Sequence, residues 1–277
     1  MSENDNRVSS ELYEEFDYST AITPSLNDEN VVSRFAFDFP HSPTAPVTDA
    51  DGDLVVTRRN SQKCEIKIEH SKRTELNLVG LQIWRGALLL ADWLIHNRQS
   101  FTRDTLIMEL GSGVGLTSIV AGMFAPVVCT DIDVGGLLNL IKSNVKINES
   151  YLRYPVTVLE LDFTKDLSPE IMELLPKAQI ILAADVVYDN DLTDAFIATV
   201  QKLMNIPPKR SIYIALEKRF VFTIADCDTC APCYEYFKEC LRQVKNASIE
   251  ELTLDFPQYF VYDRVKELVL WKVTSKC

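Results

Sequence analysis

Residues 105–120 read TLIMELGSGVGLTSIV. Thr105–Leu110 is an apolar run of strand length. Gly111-Ser112-Gly113-Val114-Gly115 is a glycine loop, and Leu116 opens an apolar stretch of helical character. This order of strand, glycine turn and helix is the context in which a backbone loop holds a nucleotide-like ligand. Glycine admits positive φ and lets the main chain approach a ligand closely. The start of the following helix offers unpaired N–H groups and the positive end of a dipole.

The spacing selects among ligands. A dinucleotide fingerprint places Gly or Ala at the sixth position, which here is Leu116. The pattern present is Glu109-x-Gly111-x-Gly113-x-Gly115, and Asp131 follows Glu109 by 22 residues. An acid at the end of a second strand can take both ribose hydroxyls. An acid at Glu109 would repel a pyrophosphate but suits a ligand carrying a sulfonium and an ammonium. Loop and acids together point to S-adenosylmethionine; a purely structural glycine turn is the competing reading.

Outward from the loop, short apolar runs alternate with helical segments. Strands are predicted at Val127–Thr130, Val156–Leu161, Ile180–Ala184 and Ser211–Leu216. Helices are predicted at Gly86–Ile95, Leu116–Phe124, Val134–Asn148, Leu167–Leu175 and Leu192–Met204. That alternation predicts a parallel sheet covered on both faces. After a helix at Cys233–Val244, Ile249–Leu254 and Glu267–Val273 read as strands with no helix between them, an antiparallel hairpin closing the sheet. The expected class is therefore α/β: a Rossmann-like, seven-stranded, mostly parallel sheet plus an N-terminal extension. The catalytic domain is expected over 76–277. Residues 31–75 are expected to pack on it, with short strands at Leu54–Thr57 and Glu65–Glu69. The acidic segment 1–30 is expected to be disordered.

The 277 residues carry 40 acids and 28 Lys and Arg, a net charge of −12. Residues 1–53 hold twelve acids against Arg7 and Arg34, a charge of −10 that leaves −2 for the rest. This balance argues against general nucleic-acid binding through phosphate contacts. Seven cysteines, no basic apolar leader and no uninterrupted run near membrane-span length predict a soluble intracellular chain with reduced thiols. The expected location is cytoplasmic, nuclear or both, with no membrane or direct nucleic-acid partner, and a monomer is expected.

The loop, the strand alternation and the terminal hairpin resemble the seven-strand methyltransferases. Ile83-Trp84-Arg85-Gly86-Ala87, ELGSGVGL (109–116), Asp162-Phe163 and Ala184-Asp185-Val186-Val187-Tyr188 resemble, more narrowly, the methyltransferase-like protein-lysine methyltransferases. The resemblance covers 76–277 well and 50–75 loosely. It implies an S-adenosylmethionine site in which Trp84 packs along the cofactor and Gly111, Ser112 and Gly113 line it. By the same resemblance Asp131 holds the ribose, Phe163 contacts the adenine beside Asp162, and Ala184 sits by the methionine part. The family often has tryptophan where this chain has Phe163, so adenine packing is kept while an indole N–H is lost. A nuclear nucleic-acid-binding protein is the implied target class.

The same resemblance makes Asp185-x-x-Tyr188, after the strand Ile180–Ala184, the lysine-site motif. A free lysine amine has a pKa near 10.4, so little of it is neutral and nucleophilic at pH 7. A desolvating pocket favours the neutral form, while a carboxylate opposes it. Asp185 is therefore expected to position the amine by accepting its hydrogen bonds, and Tyr188 to wall the channel, with most of the acceleration coming from alignment. Asp185 as a cap of the next helix and Tyr188 as packing is the competing reading. Val186-Val187 stands where methyltransferases of base amines or glutamine carry Pro-Pro. Cys227, Cys230 and Cys233 with Cys240 have spacing open to zinc, but small core thiols are the expectation and no metal is assigned. Glu217-Lys218-Arg219 reads as channel lining or as a solvated turn. The expected activity is protein-lysine N-methylation, the alternatives being a small-molecule or RNA methyltransferase or a cofactor-binding module without turnover.

Overall fold

A computed structural model describes residues 7–18, 30–39, 51, 62–223 and 228–276. A short helix, α1 (Leu12–Glu15), precedes a hairpin of β1 (Asn30–Phe39) and β2 (Gln62–Ser71). A 3-10 segment, Leu76–Leu81, leads into α2 (Arg85–His96). Four strand–helix repeats and a fifth strand follow: β3 (Leu106–Leu110), α3 (Leu116–Ala121), β4 (Val127–Asp131), α4 (Leu137–Ile147), β5 (Val156–Glu160), α5 (Pro169–Leu174), β6 (Ala178–Ala184), α6 (Asn190–Asn205) and β7 (Ser211–Glu217). A small hairpin, β8 (Val221–Thr223) and β9 (Asp228–Cys230), then α7 (Pro232–Arg242), β10 (Ala247–Leu252) and β11 (Leu268–Ser275) complete the chain.

The main sheet has the order β10-β11-β7-β6-β3-β4-β5. β5, β4, β3, β6 and β7 run parallel, and β11 is antiparallel to both β7 and β10. This is the seven-stranded, mostly parallel sheet with a C-terminal antiparallel hairpin that the sequence predicts. Side chains alternate across it with a period of two. Ile107, Cys129 and Leu182 join the core under α2, α3 and α4. Met108, Leu110, Val128, Ile181 and Ala183 join the core under α5, α6 and α7. Because β4 and β6 flank β3 on opposite sides, the chain changes direction at the C-terminal end of β3, the switch point where ligands bind in open α/β sheets.

The first core extends into a third layer. Phe35, Phe37, Ile66 and Ile68 of the hairpin join it, and Phe37 stacks on Phe260 at 4.7 Å. β2 has an edge facing α4, and two asparagines close it. Asn144 Nδ2 donates to Glu69 O at 2.9 Å while its Oδ1 accepts from Glu69 N at 2.8 Å. Asn148 does the same for Lys67, at 2.7 and 2.9 Å. Four residues of helix rise about 6 Å and two of strand about 6.6 Å, so the spacings match. Asp92, fully buried, anchors α2 to the β10–β11 connection: it accepts from Tyr259 N, Phe260 N, Tyr262 Oη and Arg264 Nη2 at 2.7–3.0 Å.

Two expectations change. Residues 7–18, expected to be disordered, are packed: Leu12 is 0% exposed and Tyr18 Oη donates to Val261 O at 2.8 Å. Leu12 and Tyr18 seat the segment despite its four acids, and the surface they pack on is non-local. The strand expected at Glu65–Glu69 is the centre of a ten-residue strand. Leu54–Thr57, like residues 1–6 and 19–29, lies outside the described residues. The stretch Leu76–His96 has the length and apolarity of a membrane span, but 72% of its most apolar window is buried in the fold and Gln82 breaks it in extended conformation.

Candidate active site

The C-terminal ends of β3, β4 and β6, the loop after β5 and the segment before α2 enclose one open cleft of about 990 Å³, solvent included. Ten of the twelve residues singled out in the sequence line it. On the loop side these are Gly111, Ser112, Gly113 and Asp131; around the far walls, Trp84, Asp162, Phe163, Ala184, Asp185 and Tyr188.

The glycine loop has the backbone its composition predicts. Gly111, Gly113 and Gly115 have φ of +64°, +53° and +87°. A Cβ on Gly111 would meet Val186 at 2.6 Å, and one on Gly113 would meet the carbonyl oxygen of Gly80 at 3.1 Å. The loop therefore presents main chain to the cleft because side chains are sterically excluded. Asp131 fastens it: its Oδ2 accepts from Gly113 N at 2.7 Å and its Oδ1 from Ile132 N at 2.7 Å. Burial pushes its pKa up to about 6, against the lowering effect of those amides. Gly115 is not in the cleft lining; it caps α3, where its Cβ would press on Ile141.

Glu109 is a correction. Its charge was expected to face a cationic ligand. Instead it lies with Ile107 on the other side of β3 from Met108 and Leu110, 1% exposed, and accepts from Ser118 Oγ of α3. It is absent from the cleft lining. Burial pushes its pKa up to about 7. The residue supports the loop from beneath.

Asp185 sits at φ +51°, a strained conformation for a side-chain-bearing residue, right after β6. Its Oδ2 accepts from Gly86 N at 2.6 Å and its Oδ1 from Glu217 N at 3.0 Å. It thus caps α2 from across the sheet, while Asp189 caps the helix that follows, α6, accepting from Leu192 N at 2.9 Å. Burial raises its pKa, with Arg219 acting the other way. Burial likewise pushes the Tyr188 phenol to about 12, so it is a neutral hydroxyl at neutral pH. Phe163 packs edge-on against Phe196 at 5.4 Å. Asp162 accepts from Thr164 N and Oγ1 and pairs with Lys165, which hold its pKa low.

The Glu217-Lys218-Arg219 turn divides its work. Glu217 pairs with Arg85 at 2.6 Å, Lys218 lies over Tyr234, and Arg219 covers the Trp84 ring at 4.4 Å. The thiols go to separate partners: Cys233 Sγ lies 3.5 Å from Tyr188 O, and Cys240 Sγ 3.7 Å from Asp194. Cys227 lies outside the described residues. Sequence reasoning missed the segment Asn77–Ile83, which forms a whole wall of the cleft. Its one signal was Gly80 within an apolar run directly before the Ile83–Ala87 motif.

Sheet order, glycine loop and the acid that ends β4 define a seven-stranded methyltransferase domain. Residues 60–230 match the family described as Lysine methyltransferase, and the chain belongs to that family. Methyltransferase-like protein 22 of Homo sapiens is 36% identical over 236 residues, 76% of this chain and 58% of that one. The Mus musculus protein of the same name is 37% identical over 233 residues, 75% and 58%. Protein-lysine N-methyltransferase EEF2KMT of Bos taurus is 26% identical over 216 residues, 70% and 60%. The chain spans about three-fifths of the length of these relatives. S-adenosylmethionine is the methyl donor of this family, and the cleft fits it: a backbone cradle that a Cβ would fill, an acid beside it for hydroxyl groups, and an apolar wall.

Proposed function

We propose that the chain transfers a methyl group from S-adenosylmethionine to a lysine ε-amine of a protein. The observation that carries this reading is the single cleft in which the Gly111–Gly113 cradle and Asp131 share walls with Trp84, Asp185 and Tyr188. The bound cofactor supplies a methyl group on a sulfonium. Asp131 would accept from the ribose hydroxyls, Phe163 would pack on the adenine, and Trp84 would flank the methionine portion. Asp185 is already held by two backbone amides, so its remaining acceptor sites have a fixed direction for an incoming amine. The aromatic rings of Trp84 and Tyr188 would shield an amine seated between them from water, which favours the neutral amine. Alignment in a dry site then supplies most of the acceleration. What supports a nuclear nucleic-acid-binding protein as target is the sequence resemblance.

The test incubates lysate with labelled cofactor and the chain. Label is expected in protease-sensitive material, on a lysine found by mass spectrometry of the labelled band. Label in nuclease-sensitive material would replace the reading with an RNA methyltransferase; cofactor binding with no label in any fraction would leave a binding module. Asp131→Ala and Gly113→Ala should each weaken S-adenosylhomocysteine binding at least a hundredfold by calorimetry. Asp185→Ala should keep that affinity within a few-fold, lower Tm through loss of the α2 cap, and abolish transfer.

A further inference from the structure

Residues 7–18 form a strap that grips the cleft wall without entering the cleft. Val8 and Thr74 exchange two backbone hydrogen bonds, 2.8 and 3.1 Å. Ser10 N donates to Gln82 Oε1 at 2.9 Å, and Gln82 Nε2 donates to Val8 O at 3.0 Å. Tyr13 Oη accepts from Ile83 N at 3.0 Å and shares a hydrogen bond with His70 Nδ1, on whose ring it stacks at 4.9 Å. Glu15 pairs with Arg85, and Glu11 with Arg219 at 3.0 Å, the arginine that covers Trp84. Leu12 and Tyr18 fasten the strap in the core.

We infer that Tyr13 is a positioning residue for cofactor binding: through the Ile83 amide it fixes the Asn77–Trp84 wall against the glycine loop. The inference rests on the reading of the cleft as an S-adenosylmethionine site. The wall is sensitive to small shifts. Gly80 O stands 3.1 Å from where a Cβ on Gly113 would lie, so wall and loop are in contact across the cleft floor. Trp84 Nε1 donates to Val79 O at 3.0 Å, so the wall's apolar face moves with its backbone. Ile83 N is the amide immediately before Trp84, and its acceptor comes from a segment outside the matched family region 60–230. Removing the Tyr13 hydroxyl leaves that amide unpaired at a buried position and frees the wall to move.

The experiment compares Tyr13→Phe with Tyr18→Phe in the full chain. Both delete one buried hydroxyl of the same strap, but Tyr18 reaches Val261, away from the wall. S-adenosylhomocysteine is the titrant in calorimetry, Tm is recorded for both, and hydrogen exchange follows the amides of 76–84. Tyr13→Phe is expected to weaken binding five- to twentyfold and to speed exchange at 82–84, while Tyr18→Phe lowers Tm comparably and leaves affinity within twofold. Unchanged affinity in Tyr13→Phe, or equal losses in both variants, would overturn the positioning role while the cofactor site stands. No binding by the unsubstituted chain would overturn the cofactor site, and the positioning role with it.

Discussion

Glu109 is the residue whose placement departs most from its expected role, and its protonation can be tested directly. Its pKa rises from 4.5 to about 7 because the charge is buried beside Ser118. Between those values the folded chain binds more protons at this site than the unfolded chain does. Stability therefore falls as pH rises from about 4.5 to 7, by on the order of 3 kcal/mol from this group alone. Glu109→Gln, which keeps an acceptor for Ser118, should flatten that part of the profile and stabilise the protein at pH 8. Urea unfolding at half-unit pH steps measures it; an unchanged slope would show Glu109 ionised in the fold. The alternation of β3 made this placement legible. Met108 and Leu110 share one face, so Glu109 must lie on the other, with Ile107. Gly111 and Gly113 take the positive φ their residue type permits and line the cleft, whereas Gly115, also at positive φ, caps α3 outside it.

At the scale of elements, the connection between the hairpin and the main sheet's helices depends on the asparagine pair, Asn144 of α4 and Asn148 at its end. Asn144 carries three buried hydrogen bonds, the third from its Nδ2 to Val114 O of the glycine loop at 3.0 Å. Asn144→Ala is expected to cost about 2–4 kcal/mol, since Glu69 N, Glu69 O and Val114 O are left unpaired in the interior. Asn148→Ala should cost somewhat less. The double variant should depart from additivity by more than about 0.5 kcal/mol, because both residues hold one strand edge. Strict additivity in urea unfolding would mean the two sites act independently. Neither residue stood out in the sequence: an asparagine on a helix reads as solvated, and only the facing strand gives it a purpose. The strands and helices of the parallel sheet, by contrast, were legible to within a few residues, since each carries its own apolar run and its own turn. The Asn77–Ile83 wall and the strap lack such a local signature. Their conformation is decided by contacts 60 to 80 positions away in sequence, as between Ser10 and Gln82 or Tyr13 and Ile83.

For the molecule as a whole, the uneven charge acquires a structural component. Of the twelve acids in residues 1–53, Glu11 and Glu15 are neutralised by Arg219 and Arg85 at the rim of the cleft. Deleting the first 50 residues would also tear Leu12, Tyr18, Phe35 and Phe37 from the core, so truncation would confound charge with folding. The charge is varied instead by isosteric replacement of Glu3, Asp5, Asp28, Glu29, Asp49 and Asp53 with Gln or Asn. If the acidic segment draws a basic protein substrate toward the cleft, this variant should transfer label several-fold more slowly at 20 mM salt and limiting acceptor. The difference should shrink steadily and vanish near 1 M, where the screening length is about 3 Å. S-adenosylhomocysteine affinity should not change, because this variant keeps Ser10, Tyr13 and Glu15, through which the strap contacts the wall. A deficit that persists at high salt would assign the segment a direct contact with the acceptor. Equal rates at every salt concentration would remove steering and leave the charge to solubility.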